Sequence, residues 1–251
     1  MGQRLIALAF ADPELKIAAA LESPSHPKLG QDIGTMAGVG PRGIVITEQL
    51  AQSIDVLVDF STPAGAMSAL ETCLARRVPL VLATTGLESG AQSKIEAASR
   101  QIAILQAPNM SLAVNLVMKL AQVAAEALAK QRSDVDVEIV ERHHRFKEDA
   151  PSGTALKFGE LIAAIMGQTS AAHGRSGRPG KRPPSEIGYH AVRLGDNPGE
   201  HAILFGLLGE TIELIVRATS RDCYAAGALA AAKFLVGKPP GRYAMSDVLG
   251  L

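Results

Sequence analysis

The sequence predicts an α/β protein in two parts: a parallel-sheet domain, then an α+β domain with a mixed sheet. Three observations lead there. Through Ala107, short uninterrupted apolar runs alternate with helical stretches, the pattern of strands buried on both faces of βαβ units. After Lys130 the pattern changes to polar–apolar alternation, the mark of a half-buried strand. Three further runs then follow one another with only glycine-containing turns between them, which favours antiparallel neighbours.

Taken in order, Arg4–Phe10 reads as the first turns of a helix, with Leu5, Ile6, Leu8, Ala9 and Phe10 available for burial. Leu15–Glu22 (LKIAAALE) is a buried strand ending in an acid, and Ile54–Phe60 (IDVLVDF) is a second. Val78–Ala83 (VPLVLA) and Ile102–Ala107 (IAILQA) are the third and fourth. Helices are expected at Ala64–Arg76 and Gly90–Gln101, and Pro24–Gly43, rich in Gly and Pro, reads as a loop with little regular structure. Ser111–Lys130 is a long helix with Leu112, Leu116, Leu120, Val123 and Ala127 near one face. Asp134–Val140 (DVDVEIV) is the alternating strand, and a helix follows at Thr154–Met166. Gln168–Ser185 is a Gly/Pro/Arg-rich loop unable to hold a packed core. Strands at Ile187–Arg193, His201–Leu207 and Thr211–Ala218 precede a closing helix at Cys223–Val236. The expected domains are 1–110 with 220–251, for the dinucleotide-binding part, and 111–219 for the remainder.

Composition narrows the possible functions. The chain has 251 residues, 47% of them hydrophobic, enough to build a core in each part. Lys+Arg and Asp+Glu both number 25, without a long run of either sign. That balance argues against a nucleic-acid partner or an attraction to membrane surfaces. Cys73 and Cys223 stand far apart with no metal-ligand spacing, which points to a reducing compartment. No basic segment followed by an apolar core opens the chain, and no uninterrupted apolar stretch reaches the ~18 residues of a membrane span. A cytoplasmic protein is the expectation.

A dinucleotide-binding sheet begins strand, glycine-rich turn, helix, with the pyrophosphate resting on the helix N-terminus. Here the helix and the acid-tipped next strand are present, while the first strand and nearly all of the glycine turn are absent. Gly2 stands as the last glycine of such a fingerprint. Glu22 lies about 20 residues after the helix start, where a carboxylate accepts from a ribose hydroxyl. The first part therefore reads as a Rossmann-like domain with its first strand missing, through a late start or damage to the protein.

The densest chemistry lies at Glu141–Ala155, ERHHRFKEDAPSGTA. Two histidines, an arginine and a lysine leave a strand end, and Ser152 is placed to cap a helix whose first N–H groups come from Gly153 and Thr154. Such a helix start suits a carboxylate, with Lys147 and a histidine in reach to add charge. A histidine there can lend or take a proton during turnover. The alternatives are a solvated basic loop beside a capped helix, or zinc on His143, His144 and Asp149. Adjacent residues rarely both ligate a metal, and no partner histidine motif accompanies them.

This motif closely resembles the signature of the 4-hydroxy-tetrahydrodipicolinate reductase family, also called dihydrodipicolinate reductase, of bacterial lysine biosynthesis. VDFSTPAGA, VLATTGL, APNMSLAVNLVMKL, EIGYHAVRLGDNPGEH and SDVLGL resemble family segments in family order, so the likeness spans essentially the whole chain. It implies hydride transfer from NADH or NADPH to a cyclic, unsaturated dicarboxylate, yielding tetrahydrodipicolinate. His143 matches the family's acid/base histidine and Lys147 its proton donor. His144 matches a substrate-binding histidine, and Gly153 and Thr154 the pair that holds a substrate carboxylate. Glu22 matches the ribose-binding acid. Ala83, Thr84 and Thr85 match a segment lining the nicotinamide side, and Ala107, Pro108, Asn109 and Met110 a second one. The family's cofactor loop ends in Arg-Met-Gly, so Met1-Gly2 resembles its tail.

The chain departs from the family pattern in places. Ser23 stands where some relatives carry an arginine favouring the 2′-phosphate, which leans toward NADH tolerance. Met110 replaces an aromatic and Ala83 a glycine. The loop Gly174–Arg182 is expected either to close over the dicarboxylate or to remain a solvated linker. The resemblance also implies a homotetramer assembled through the second domain's sheet. Two rivals accompany this reading: a truncated, non-catalytic remnant that keeps only a dicarboxylate-binding domain, and another two-domain dehydrogenase acting on an amino acid or sugar.

Overall fold

The computed structural model describes residues 1–130 and 135–251, and divides into two compact units: Met1–Leu112 with Arg221–Leu251, and Ala113–Ser220. In the first, α1 (Gly2–Ala11), β1 (Ala20–Leu21), α2 (Ile33–Met36), β2 (Ile46–Thr47) and β3 (Leu57–Asp59) lead into α3 (Pro63–Arg76), β4 (Leu80–Leu82), α4 (Ser89–Ser99) and β5 (Ala103–Gln106). Helix α5 (Leu112–Ala129) opens the second, followed by β6 (Asp136–His143), α6 (Gly153–Met166), β7 (Ser170–His173), β8 (Glu186–Arg193), β9 (Gly199–Leu207) and β10 (Glu210–Ala218). The chain then returns to the first unit as α7 (Asp222–Leu235), β11 (Gly241–Tyr243) and α8 (Met245–Leu249).

The first unit is built on a parallel sheet of order β11-β5-β4-β3, with β1 and β2 paired separately. Leu80, Val81 and Leu82 of β4 are fully buried, as a strand covered on both faces requires. Side chains from α3 and α4 cover one face, around Leu70, Cys73 and Ile95; α7 and α8 cover the other, around Val81, Leu105, Ala228 and Met245. Thr62 caps α3, its hydroxyl accepting from Gly65 N, and Pro63 starts the helix where a missing N–H costs nothing. Helix α1 packs on α7, tied by Arg4–Asp222 and by Lys233 to Asp12 at 2.7 Å.

The predicted strand Leu15–Glu22 shrinks to two half-buried residues. Its only ladder partners among the described residues are Ile46 and Thr47, so Leu15–Ala19 have no neighbour to hold them extended. β3 likewise has β4 as its only sheet neighbour, and Leu57 and Val58 are half-buried. The Pro24–Gly43 loop is more ordered than expected. Asp32 caps α2 and accepts from the backbone N–H groups of Thr35, Arg42 and Gly43, which together lower its carboxyl to about 2.

The second unit is a five-stranded mixed sheet of order β10-β9-β6-β8-β7, antiparallel through β10, β9 and β6 and parallel through β6, β8 and β7. Its core lies against α5 and α6, with Phe158, Ile162, Ile139, Ile203 and Phe205 buried. α6 sits close: a Cβ on Gly159 would stand 1.8 Å from the Tyr189 hydroxyl. Helix α5 turns the face opposite to the one expected. Val114, Met118, Ala121 and Ala125 are buried, while Leu116, Leu120 and Val123 are exposed. The helix is apolar nearly all round, so periodicity offers two stripes, and the one with alanines lets the backbone approach the sheet. By length and composition α5 could cross a membrane, but it carries Lys119 and Glu126 and packs into this core. The expected strand start at Asp134 lies outside the described residues.

Candidate active site

Strand alternation places Val137, Ile139, Glu141 and His143 on one inward face of β6. The first two enter the apolar core; the last two form a polar layer at the strand's C-terminal end. Glu141 is 1% exposed and His143 7%. A buried carboxylate without partners would cost several kcal/mol. Glu141 has partners on both oxygens. Arg193 forks onto it at 2.8 Å to each oxygen, Ser152 N donates to Oε1 at 3.1 Å, and His143 Nδ1 lies 2.5 Å from Oε2. Burial alone would raise the Glu141 carboxyl, but the hydrogen bonds from Arg193 and then His143 hold it below the usual range. For His143, burial outweighs the carboxylate's upward pull, with Lys147 and Arg193 also lowering its pKa. The pair is a charged Glu141 beside a neutral imidazole.

His201 of β9 completes this layer. Its ring meets that of His143 edge-on at 5.3 Å, and its Nε2 lies 3.1 Å from the Ser152 hydroxyl. Burial, aided by the nearby His143 and Lys147, lowers His201 to about 4, so it is a neutral imidazole sharing a hydrogen bond with Ser152. Ser152 Oγ in turn accepts from Ala155 N, the N-cap bond of α6. One hydroxyl thus joins the helix start to the histidine layer.

Beside that start lie the other residues singled out in the motif. Gly153 is exposed, with open space where a Cβ would stand, and Thr154 follows it in the first turn. Lys147 Nζ pairs with Asp149 at 2.7 Å, an interaction that lowers the Asp149 carboxyl. Arg193 also donates to Asp149 O at 2.7 Å, bracing the loop between His143 and α6. His144 is half-buried, and its Nδ1 is buried without a protein partner. The structure gathers His143, Lys147, Ser152, Gly153 and Thr154 around the start of α6. Among the described residues no cluster suits a metal ion, and His143 is engaged by Glu141.

The residues expected to hold a cofactor lie in the first unit. Glu22 is exposed just after β1, and Ser23 N donates to it at 3.3 Å. Met1 and Gly2 are exposed at the start of α1, which has no side-chain cap and so offers N–H groups without intrahelical partners. After β4, Ala83 is half-buried and Thr85 exposed, whereas the Thr84 hydroxyl is taken by Asp59 at 2.5 Å. After β5, Pro108 is exposed and Asn109 half-buried. Ala107 and Met110 are buried, the latter in the core under α7. An exposed acid at one strand end and open strand ends at β4 and β5 suit a dinucleotide. At Thr84 and Met110, whose side chains are engaged by Asp59 and by the core, it is the backbone that is offered at these strand ends.

Sequence reasoning missed Glu141, Arg193 and His201. A local signal existed for Glu141, two residues before a histidine on a strand. Arg193 and His201 lie in EIGYHAVRLGDNPGEH, which was read only as a family segment, and they reach the site through sheet register. In the loop Gly174–Arg182, Arg175 and Arg182 are engaged by carboxylates, while Arg178 and Lys181 are exposed. Arg175 bonds Glu138 and Glu186, and Arg182 bonds Asp136 and Glu138, so the loop is pinned to β6 and β8.

Comparison with known proteins bears on the family and the fold. The family profiles described as "Dihydrodipicolinate reductase, N-terminus" and "Dihydrodipicolinate reductase, C-terminus" match residues 1–110 and 113–249. A relative in Rhodopirellula baltica, the 4-hydroxy-tetrahydrodipicolinate reductase, is 51% identical, the alignment covering 100% of this chain and 92% of that one. The enzyme of the same name in Thiobacillus denitrificans is 44% identical over 100% of this chain and 95% of its own. Among solved structures, the dipicolinate-bound dihydrodipicolinate reductase from Paenisporosarcina sp. TG-14 shares the fold with a TM-score of 0.76 at 23% identity, over 97% of this chain and 92% of that one. Relatives of this name over the full chain, together with the nucleotide-binding-type sheet, make the class a nicotinamide-dependent oxidoreductase. The chain belongs to the dihydrodipicolinate reductase family.

Proposed function

We propose that this chain is a 4-hydroxy-tetrahydrodipicolinate reductase of lysine (diaminopimelate) biosynthesis, reducing a cyclic unsaturated dicarboxylate to tetrahydrodipicolinate. The observation that carries it is the buried His143, held by Glu141, next to Lys147 and the N-terminus of α6. A ring reduction needs a proton besides a hydride, and His143 and Lys147 supply and stabilise it. A dicarboxylate needs N–H donors, which Gly153, Thr154 and His144 provide, and positive charge in reach, which Lys147 provides. The second unit is then the substrate-binding domain and the first the dinucleotide-binding domain.

NADH or NADPH supplies the hydride when bound. Glu22 would take the ribose hydroxyls, the start of α1 at Met1-Gly2 the pyrophosphate, and Ala83–Thr85 with Ala107–Met110 the nicotinamide side. Ser23 carries no charge to meet a 2′-phosphate, so NADH is accepted. The exposed Ile215 on the outward face of β10 supports assembly through this sheet into a homotetramer, and the two well-separated cysteines a cytoplasmic place.

The test follows loss of nicotinamide absorbance with the dicarboxylate substrate. Wild type should turn over, and the His143→Gln/Lys147→Met double variant should lose activity while keeping its circular-dichroism spectrum. A folded wild type inert with both cofactors would favour the non-catalytic remnant.

A further inference from the structure

We propose that Glu141 is a positioning residue: it accepts the Nδ1 proton of His143, so that Nε2 is the atom that exchanges protons with the substrate. The inference rests on the function proposed above, but its geometric part stands apart from turnover.

Hydrogen-bond bookkeeping selects the tautomer. A carboxylate only accepts, so the 2.5 Å contact to Oε2 requires a proton on Nδ1. The lone pair of neutral His143, and the proton it gains when charged, therefore belong to Nε2. Glu141 cannot turn away, because Arg193 holds both of its oxygens and Ser152 N holds one. Arg193 is itself anchored on the carbonyls of Val192 and Asp149. The ring of His143 is thus fixed from the strand side by a chain of bonds running through β6, β8 and the start of α6. The charged and titratable groups facing it are Glu141, Lys147, Asp149, Arg193 and His201. Of these Glu141 makes the short hydrogen bond, and it favours the imidazolium needed for proton donation.

Two measurements test this. In wild type, two-bond ¹⁵N–¹H correlation spectra of ¹⁵N-histidine protein identify the tautomer, with the His143 signal assigned by its loss in His143→Gln. The expected state near neutral pH is Nδ1–H; an Nε2–H tautomer overturns the proposal without reference to activity. In Glu141→Gln, kcat should fall about 10²-fold, the scale of a general acid–base contribution, with KM for the dicarboxylate little changed. Without the carboxylate the imidazolium is less stable, so the alkaline limb of the pH–rate profile should move to lower pH. Glu141→Asp should recover part of both effects. An unchanged limb and kcat in a folded Glu141→Gln protein also overturn it. A variant that does not fold leaves the decision to the wild-type tautomer, and a wild type that shows Nδ1–H yet does not turn over refutes the function and not the geometry.

Discussion

His201 illustrates how a buried residue couples the site to stability. Its pKa is about 4 in the folded protein against 6.5 for the free side chain. Between those values the unfolded chain binds a proton that the folded one does not. The contribution is therefore complete above pH 6.5 and is lost as pH falls to about 4, a difference on the order of 3 kcal/mol. Melting temperature should fall over that window, and His201→Asn should show a shallower fall; an identical slope would refute the assignment. Glu138, lowered to about 2 against burial by Arg175, His190 and Arg182, loses its share only below pH 4.5. None of these partnerships could be read along the chain. The arginine that clamps Glu141 stands 52 positions away, and the serine facing His201 stands 49 positions away.

At the scale of elements, two helix starts separate capping from site assembly. The Thr62 hydroxyl caps α3 through Gly65 N, and the other bonds to Thr62 are to its backbone carbonyl. Thr62→Ala should cost about 1 kcal/mol in chemical denaturation. Ser152 caps α6 and also satisfies buried His201, so Ser152→Ala should cost about 2–4 kcal/mol, the cap plus an unpaired buried nitrogen. Equal losses in the two variants would show that the Ser152–His201 bond contributes nothing. The Ser152 cap was legible in advance, because capping depends on contiguous residues, whereas Thr62 was not singled out. The side of α5 that packs was not legible: a helix apolar on two stripes is oriented by the surface it meets, and that surface is assembled from four strands. The two-residue β1 teaches the same lesson, since LKIAAALE has strand composition yet extends only where Ile46 and Thr47 lie alongside.

For the whole molecule, cofactor choice is the property most open to change by one residue. Ser23 follows the exposed Glu22 and carries no charge. Ser23→Arg should raise affinity for NADPH relative to NADH by about tenfold, the yield of one exposed charge-assisted contact to a phosphate. Fluorescence titration with both cofactors reads the ratio, and an unchanged ratio would move the 2′-phosphate site elsewhere. Much of this molecule was determined along the chain: the alternation of strands and helices, the acid after the first strand, the capped helix after HHRFK and the family signature. Those features are local, resting on period, spacing and contiguous motifs that physics reads a few residues at a time. Tertiary structure alone decided how the motif works. The Glu141–Arg193 clamp, the His201–Ser152 bond and the pinned arginine loop each join segments whose meeting is set by the register of β6 with β8 and β9. Register is a property of the folded sheet, where strand pairing and burial are satisfied together, and no single stretch of sequence contains it.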